Sequence, residues 1–599
     1  MERAKLLLLL MLALSFYYSR VESEGNLHVV ELQGRCSIEE REALISIKQS
    51  LDDPQLLLSN WDIGEDCCGW KGVGFRNTRR SLVCHIFFPS LLRLQHLQYL
   101  SLNGIFFNHT SIPTTINSLT SLRYLDLSNS GFNGIIPPHI GNLTKLRFLD
   151  LSSNYLAASN LLWMSHLFSL QYLDMSDVNL TLATNWLHEI MKLPALSTLR
   201  FSYCNLQTLP TLLSYYNFSS TISTIDLSNN QFPNSTIPSW LYNMTNLVEL
   251  HLPGCQLHGM VPSNLLGALC RLRILDLSSN LIHGSISSMF LGQFSKCTTR
   301  YELKYLALSN NDLSGNIQPN NFTGPVSWAT LSLLCDLDIL NLRENNFIEL
   351  IDDESAPKCK EYKMTYMDIS ENKMSGSMPE WVGQMRQLRY LHLGNNRLIG
   401  SIPQRFGQLM NLNYLNLHTN LLQGSLLDAN FVNLSQLKIL DLSNNQLDFN
   451  MMSFNWVPPF QVFILDIHSC LIGPRFPSWL QTQKFLNYLD VSNGGISDII
   501  PSWFWNITSQ VVFLGMFYNS IRGELPMSLN IRFKSTIDLR SNLLEGHLPR
   551  LENSAQFALF SDNMFSNGTE WYLNANQSYL EILDLSENQL YDEIPSSIC

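Results

Sequence analysis

Charge is scarce in this 599-residue chain, and basic charge is scarcer still. Asp, Glu, Lys and Arg make up 15%, with 38 Lys+Arg against 50 Asp+Glu, a formal net charge of -12. That balance excludes nucleic acid and an anionic membrane surface as partners, because both select clustered basic side chains. Cysteine is thin as well: 12 residues cannot scaffold a chain this long, so each has to be read by its position. The motifs of the common catalytic chemistries are missing, with no G-x-x-x-x-G-K-[ST], H-E-x-x-H, G-x-S-x-G or C-x-x-C and no kinase glycine-rich or catalytic loop. Aspartate does recur, at Asp126, Asp150, Asp226, Asp276 and Asp441, but a carboxylate repeated at every period is not the unique pair that acid–base catalysis needs. The chain therefore reads as a non-enzyme without cofactor or metal. What it has is apolar mass: at 45% hydrophobic it is no disordered polymer and can bury a large core.

A long apolar run, Leu6–Phe16, follows Arg3 and Lys5 and precedes Val21 and Ser23, which stand at −3 and −1 of a cut after Ser23. Too short to cross a bilayer, it has the layout of a secretory signal peptide over residues 1–23. Sequons at Asn108, Asn142, Asn179, Asn217, Asn234, Asn243, Asn321, Asn433, Asn506, Asn567 and Asn576 predict glycosylation on the secretory route, and an extracellular location in which cysteines can pair.

One phrase then governs the chain. Leu125-Asp-Leu127-Ser-Asn-Ser130 returns as Leu149-Asp-Leu151-Ser-Ser-Asn154, Leu275-Asp-Leu277-Ser-Ser-Asn280, Leu440-Asp-Leu442-Ser-Asn-Asn445 and Leu583-Asp-Leu585-Ser-Glu-Asn588. With the Asn slot as zero, about twenty copies run from Ile105 to Asn588, most spaced 23 to 26 apart. This is the L-x-x-L-x-L-x-x-N/C leucine-rich repeat pattern. Alternation sends the −5 and −3 residues inward and −6, −4 and −2 outward on a short strand, and stacking of coils supplies the core that one coil lacks. The Asn is expected to turn inward onto backbone groups, with Cys204, Cys255 and Cys470 as tolerated replacements; Ile105, Ser130, Val178 and Gly494 break the ladder and predict less regular coils. A second phrase follows the strand, as in Gly134-Ile-Ile-Pro137, Gly376-Ser-Met-Pro379 and Gly400-Ser-Ile-Pro403, where Gly supplies a turn and Pro is expected to end pairing.

The L-x-G-x-(I/L/V)-P continuation resembles the plant-specific class of leucine-rich repeats, which implies an α/β solenoid with a parallel β-sheet on the concave face, a second short sheet and a right-handed superhelix. The segment at 24–90 supports the likeness. Ser37 and Glu40 form a capping box before Leu44, Ile47 and Leu51, followed by Trp61 and Cys67-Cys68-Gly-Trp70-Lys-Gly72-Val73. It resembles the disulfide-bonded helical N-terminal cap of plant receptor-like proteins and receptor-like kinases, with repeats filling 91–599. Phe75 stands where that family carries a further cysteine. Of the three pairings open to Cys36, Cys67, Cys68 and Cys84, the resemblance implies Cys36 with Cys67 and Cys68 with Cys84. Pro458-Pro-Phe460, Gly473-Pro-Arg-Phe-Pro-Ser-Trp-Leu480 and Ile500-Pro-Ser-Trp-Phe-Trp-Asn506 are most similar to receptor-like proteins of the fungal-elicitor and pathogen-resistance group. That likeness implies an extracellular peptide, protein or glycan ligand, and signalling through an adaptor receptor-like kinase and a co-receptor kinase. It also implies a plasma-membrane anchor in the full-length protein; the chain stops at Cys599 with no membrane span, as if truncated before it. A secreted polygalacturonase-inhibitor-like protein and a developmental peptide receptor share the repeat type.

Spacing says more about four cysteines. Cys270 and Cys335 stand at −10 of their units, and Cys297 and Cys359 at −14 and −13 of the next, so Cys270–Cys297 and Cys335–Cys359 bridges are expected between adjacent coils. The −6 row is aromatic (Tyr99, Tyr124, Phe148, Tyr172, Tyr366, Tyr390, Tyr414, Tyr488 and Phe513 among others), a structural stack of rings; the basic −7 row, including Arg123 and Lys438, reads as a solvated flank. Ligand contacts are sought where outward positions abandon the usual Asp at −4 or Ser at −2. Arg200 and His251 do so, but the departures concentrate at Arg343, His392, His418, His468, Phe517 and Arg540, with Glu344 and Tyr518 beside them. These residues outline a concave recognition patch with Arg and aromatic anchors. His392 and His418 should be neighbours, and nothing in the sequence completes that pair into a zinc site.

Overall fold

The computed structural model describes residues 96–210, 221–262, 265–285, 302–315, 335–348, 350–351, 359, 361–449, 456–551, 555–568 and 579–591, together with Glu42 and Ile45. The expected signal peptide, the cap cysteines Cys36, Cys67, Cys68 and Cys84, Cys297, and the sequons Asn217, Asn321 and Asn576 lie outside these residues. Two units are distinguished: Met1–Gln95 with Ile105–Asn108, and His96–Gly104 with His109–Cys599. The repeat strands belong to the second unit; in the first, the sequon Asn108 is exposed.

Each recurrence of the leucine phrase carries one three-residue strand, and together they make a 20-stranded parallel sheet in which each strand pairs with those of the coils before and after it. Register never slips: Tyr124, Leu125 and Asp126 face Phe148, Leu149 and Asp150, and these face Tyr172, Leu173 and Asp174. Alternation explains the pattern, since Leu125, Leu127, Leu149 and Leu151 are all fully buried in the interior.

The Asn ladder works as the spacing suggests. Asn154 donates through Nδ2 to the carbonyls of Leu127 (2.8 Å), Leu151 and Ser152, while Oδ1 accepts from the amides of Ser130 and Phe132. One side chain thus ties two coils and satisfies backbone groups that the bend would orphan. Cys204, Cys255 and Cys470 are buried thiols whose Sγ atoms reach the same carbonyl, at 3.1, 3.1 and 3.2 Å from Met175, Leu227 and Leu442 O. The ladder breakers do not loosen the sheet. Ser130 Oγ donates to Leu102 O at 2.7 Å, and the strands preceding Ser130, Val178 and Gly494 keep full register on both sides. The expectation of irregular coils is therefore corrected for Ser130, Val178 and Gly494, where a smaller donor, or backbone pairing alone, holds the position.

The residue immediately before the zero slot lies at positive φ in every coil. It is glycine at Gly104 and Gly254 and non-glycine elsewhere, from 50° at Asn129 to 67° at Asp177. The chain can leave the strand and drop the Asn into the interior only through this left-handed step, and its repetition overrides the usual cost to side-chained residues. The glycine of the second phrase also turns left-handed, with φ 96° at Gly134 and 78° at Gly400, and short second sheets form there, such as Ser375–Ser377 with Arg397–Gly400. The second strands end two or three residues before the proline, as expected, and the proline has a further role. Pro137, Pro379 and Pro403 immediately precede 3-10 helices (Pro138–Asn142, Glu380–Gln384 and Gln404–Gln408), and the carbonyl of each accepts the first turn's hydrogen bond. Its preset φ starts the helix.

Cys335 and Cys359 form the expected inter-coil disulfide, with Cα atoms 5.5 Å apart. Cys270 is also disulfide-bonded, although its expected partner lies outside the described residues. Among the described residues no helix is long and apolar enough to cross a membrane.

Candidate ligand-binding face

The consensus surface explains the departures from it. Where the phrase reads Asp-Leu-Ser, the Asp carboxylate accepts from the Ser two residues on: Asp441 Oδ1 takes the amide of Ser443 at 3.2 Å and its hydroxyl at 2.6 Å, and Asp368 holds Ser370 likewise. The carboxylates point outward but are covered by the coils above and below. Asp368, Asp441, Asp466, Asp490 and Asp538 are all buried. Burial and neighbouring carboxylates push some of them up: Asp150 to about 7, by burial and Asp174, and Asp490 to about 6, by burial and Asp466.

Two of the singled-out residues do the work of the missing serine. His468 places Nδ1 2.6 Å from Asp466 Oδ1. Arg540 makes a bidentate pair with Asp538, Nε to Oδ1 at 2.8 Å and Nη2 to Oδ2 at 2.7 Å, and lies over the Phe517 ring at 5.7 Å. Arg343 instead spans coils, with Nη2 2.6 Å from Glu371 and 2.9 Å from Glu344. Glu344 and Tyr518 occupy the left-handed step before the Asn slot, a role invisible in their spacing. Tyr518 is 65% exposed and packs edge-on against Phe517.

His392 is the outlier. It replaces Asp at −4, is buried, and puts Nδ1 3.5 Å from Asp368 Oδ2, too long for a strong hydrogen bond. Burial would raise the Asp368 carboxyl, but the His392 imidazole beside it and the hydrogen bonds from Ser370 hold it below the ordinary carboxylate value. The His418 ring lies 5.8 Å from that of His392, as the register implies. It overhangs Gly394, where any Cβ would meet His418 Cδ2 at 2.6 Å.

The structure thus brings the eight residues onto one sheet as local groups: Arg343 with Glu344, His392 with His418, His468 with its aspartates, and Phe517 with Tyr518 and Arg540. The coils of Asn372, Asn445 and Gly494, which lie among them, contribute none of the eight. The aromatic row is a stack: Tyr99–Tyr124, Tyr124–Phe148 and Phe148–Tyr172 lie at 4.1, 4.1 and 4.2 Å, and Tyr366–Tyr390 and Tyr390–Tyr414 at 4.2 and 4.1 Å. Sequence reading missed Gly515, which stands at −4 in place of Asp; a Cβ there would strike Asp490 Oδ1 at 2.8 Å.

Known proteins agree with this architecture. The leucine-rich repeat N-terminal domain family matches residues 37–74, a leucine-rich repeat region matches 78–209, and further leucine-rich repeats match 335–398 and 386–447. Receptor-like protein EIX2 of Solanum lycopersicum is 34% identical over 631 residues, covering 94% of this chain and 60% of its own length. The chain belongs to the plant leucine-rich repeat receptor-like proteins. It spans 60% of that relative's length. In fold it is similar to the plant peptide hormone receptor RGFR1 in complex with RGF2 (22% identity, TM-score 0.63, 88% of this chain and 82% of that one). It also resembles the Arabidopsis receptor kinase HAESA in complex with the peptide hormone IDA and the co-receptor SERK1 (22%, TM-score 0.57, 94% and 99%). The matched family models and the fold are those of leucine-rich repeat solenoids.

Proposed function

We propose that this chain is the extracellular ligand-recognition domain of an immune receptor-like protein. It reads a pathogen-derived peptide, protein or glycan on the concave sheet between the strands Ile339–Asn341 and Thr536–Asp538, and signals through a partner receptor-like kinase and a co-receptor kinase. The observation that carries the reading is the concentration of non-consensus side chains in that half of an otherwise repetitive surface, since selectivity needs a patch that differs from coil to coil. The sequons support it by their placement. Asn142, Asn179, Asn234, Asn243, Asn433 and Asn506 are exposed, and none lies on a strand of the 20-stranded sheet, so glycans there leave the concave side open. Similarity to a receptor-like protein and to ectodomains seen with peptide hormones and a co-receptor supports the ligand class and the signalling partners.

The test is capture. The secreted chain is expected to enrich a ligand from pathogen culture filtrate, and a variant with Arg343, His392, His418 and Phe517 all changed to Ala, secreted at the same level, is expected to lose it. Undiminished capture by the variant refutes the patch, and enrichment only from the plant's own extracellular fluid refutes the immune role.

A further inference from the structure

His468 does more than replace a serine. In the consensus coil, the Asp at −4 accepts from the Ser at −2 of its own strand. Here the imidazole Nδ1 lies 2.6 Å from Asp466 Oδ1 on that strand and 3.9 Å from Asp490 Oδ2 on the next. One nitrogen and two carboxylate oxygens from adjacent coils fall within 4.8 Å of one another. Asp466 and Asp490 are in direct register and buried, at 0% and 4% exposure, while His468 keeps an open edge to the concave surface.

Charge and space both distinguish this place from the rest of the ladder. Asp441, Asp466 and Asp490 are consecutive in the sheet, and burial, followed by these carboxylates, raises the hydroxyl of Tyr488 beside them. Asp441 is already engaged by Asn416 Nδ2 at 3.2 Å and by Ser443. Asp490 Oδ1 accepts the Ser492 amide at 3.0 Å, which leaves its Oδ2 on the side of His468. Asp466 and Asp490 share one imidazole, which brings at most one positive charge to two carboxylates. On the far side of Asp490 the column of side chains stops at Gly515, so no in-register side chain covers that carboxylate. A group of this kind, anionic, buried, mixed in oxygen and nitrogen donors and open on one edge, suits a borderline divalent ion better than a hard one, because imidazole selects zinc-like metals whereas magnesium and calcium take oxygen ligands alone.

We propose that Asp466, His468 and Asp490 form a binding site for a divalent transition-metal ion of the zinc class on the concave face. The two buried carboxylates supply the charge and the imidazole Nδ1 supplies selectivity. Three protein donors leave a coordination position for water or for a donor on whatever docks there, such as a carboxylate or an imidazole. The rival account makes His468 a stand-in for serine and no more, and the repeat itself supplies the variant that separates the two. His468→Ser restores the consensus Asp-x-Ser pair that Asp441 and Ser443 show to be stable in the neighbouring coil, so it removes the metal donor without orphaning Asp466.

The secreted chain, carrying no histidine tag, is stripped with chelator and titrated calorimetrically with zinc sulfate. One saturable site per chain is expected, weakened by on the order of a hundredfold in His468→Ser and in Asp490→Asn. It is expected to be kept in His547→Ala, which removes an exposed imidazole outside this group and outside the recognition patch. Equal zinc binding by the wild type and His468→Ser, no saturable site in the wild type, or magnesium bound as tightly as zinc would each overturn the proposal.

Discussion

Asn445 shows what one side chain carries in this molecule. Its Oδ1 accepts from the Leu422 amide at 3.1 Å, and its Nδ2 donates to the carbonyls of Leu417, Leu442 and Ser443. Asn445→Ala strands a buried amide and unties two coils at once, and is expected to cost about 3 kcal/mol, read as a lower denaturant midpoint of the purified chain. The carboxyl ladder gives a second expectation. Asp150 and Asp490 titrate higher folded, near 7 and 6, than an unfolded Asp at about 4. Between those values the native state holds more protons, so their contribution is fully present below about pH 4 and is lost as pH rises through 6 and 7. Melting temperature should therefore be higher near pH 5.5 than at pH 8, and the double change Asp150→Asn and Asp490→Asn should flatten that slope. At this scale the sequence is legible wherever a residue type repeats, as with the Asn slot. It is silent where a residue's meaning lies in a partner one coil away: nothing in the spacing of Arg343 reveals Glu371, and nothing in Gly515 reveals the carboxylate it accommodates.

Among elements, the strand and the left-handed step after it form the invariant part of each coil, whereas the return path varies. It is a 3-10 helix at Gln404–Gln408, an α-helix at Trp186–Ile190, and a segment stapled by a disulfide where Cys335 meets Cys359. That bridge closes a loop of sequence separation 24 in a lengthened repeat, so replacing both cysteines with serine is expected to cost about 3 kcal/mol, seen as a lower melting temperature and faster proteolysis between the two positions. The bridge is readable because two cysteines stand at matching offsets in consecutive units. The further role of proline is not, and the reason is physical. From sequence alone a proline after a strand marks the end of pairing, which the structure shows, but Pro379 and its equivalents also supply the φ and the carbonyl that start the next helix.

Over the whole solenoid, each coil touches mainly the coils beside it, so stability and specificity are both assembled locally. The fold is almost fully legible for this reason, since one phrase repeated about twenty times leaves a single solution. The recognition patch is legible only as a set of departures, several of which prove to be locally satisfied pairs. The column of rings is the exception to this uniformity. It runs unbroken from Tyr99 to Tyr172 and again from Tyr366 to Tyr414, but between Tyr172 and Tyr305 the successive strands open with Thr198, Thr224, Glu249 and Ile274. Stacked faces resist shear and splaying in a way these smaller or charged side chains do not. A third stacked pair, Tyr488 with Phe513, follows the interruption at Ile439 and Ile464, so the longest unstacked run is Thr198 to Ile274, and bending of the sheet under load from a bound partner is expected to concentrate there.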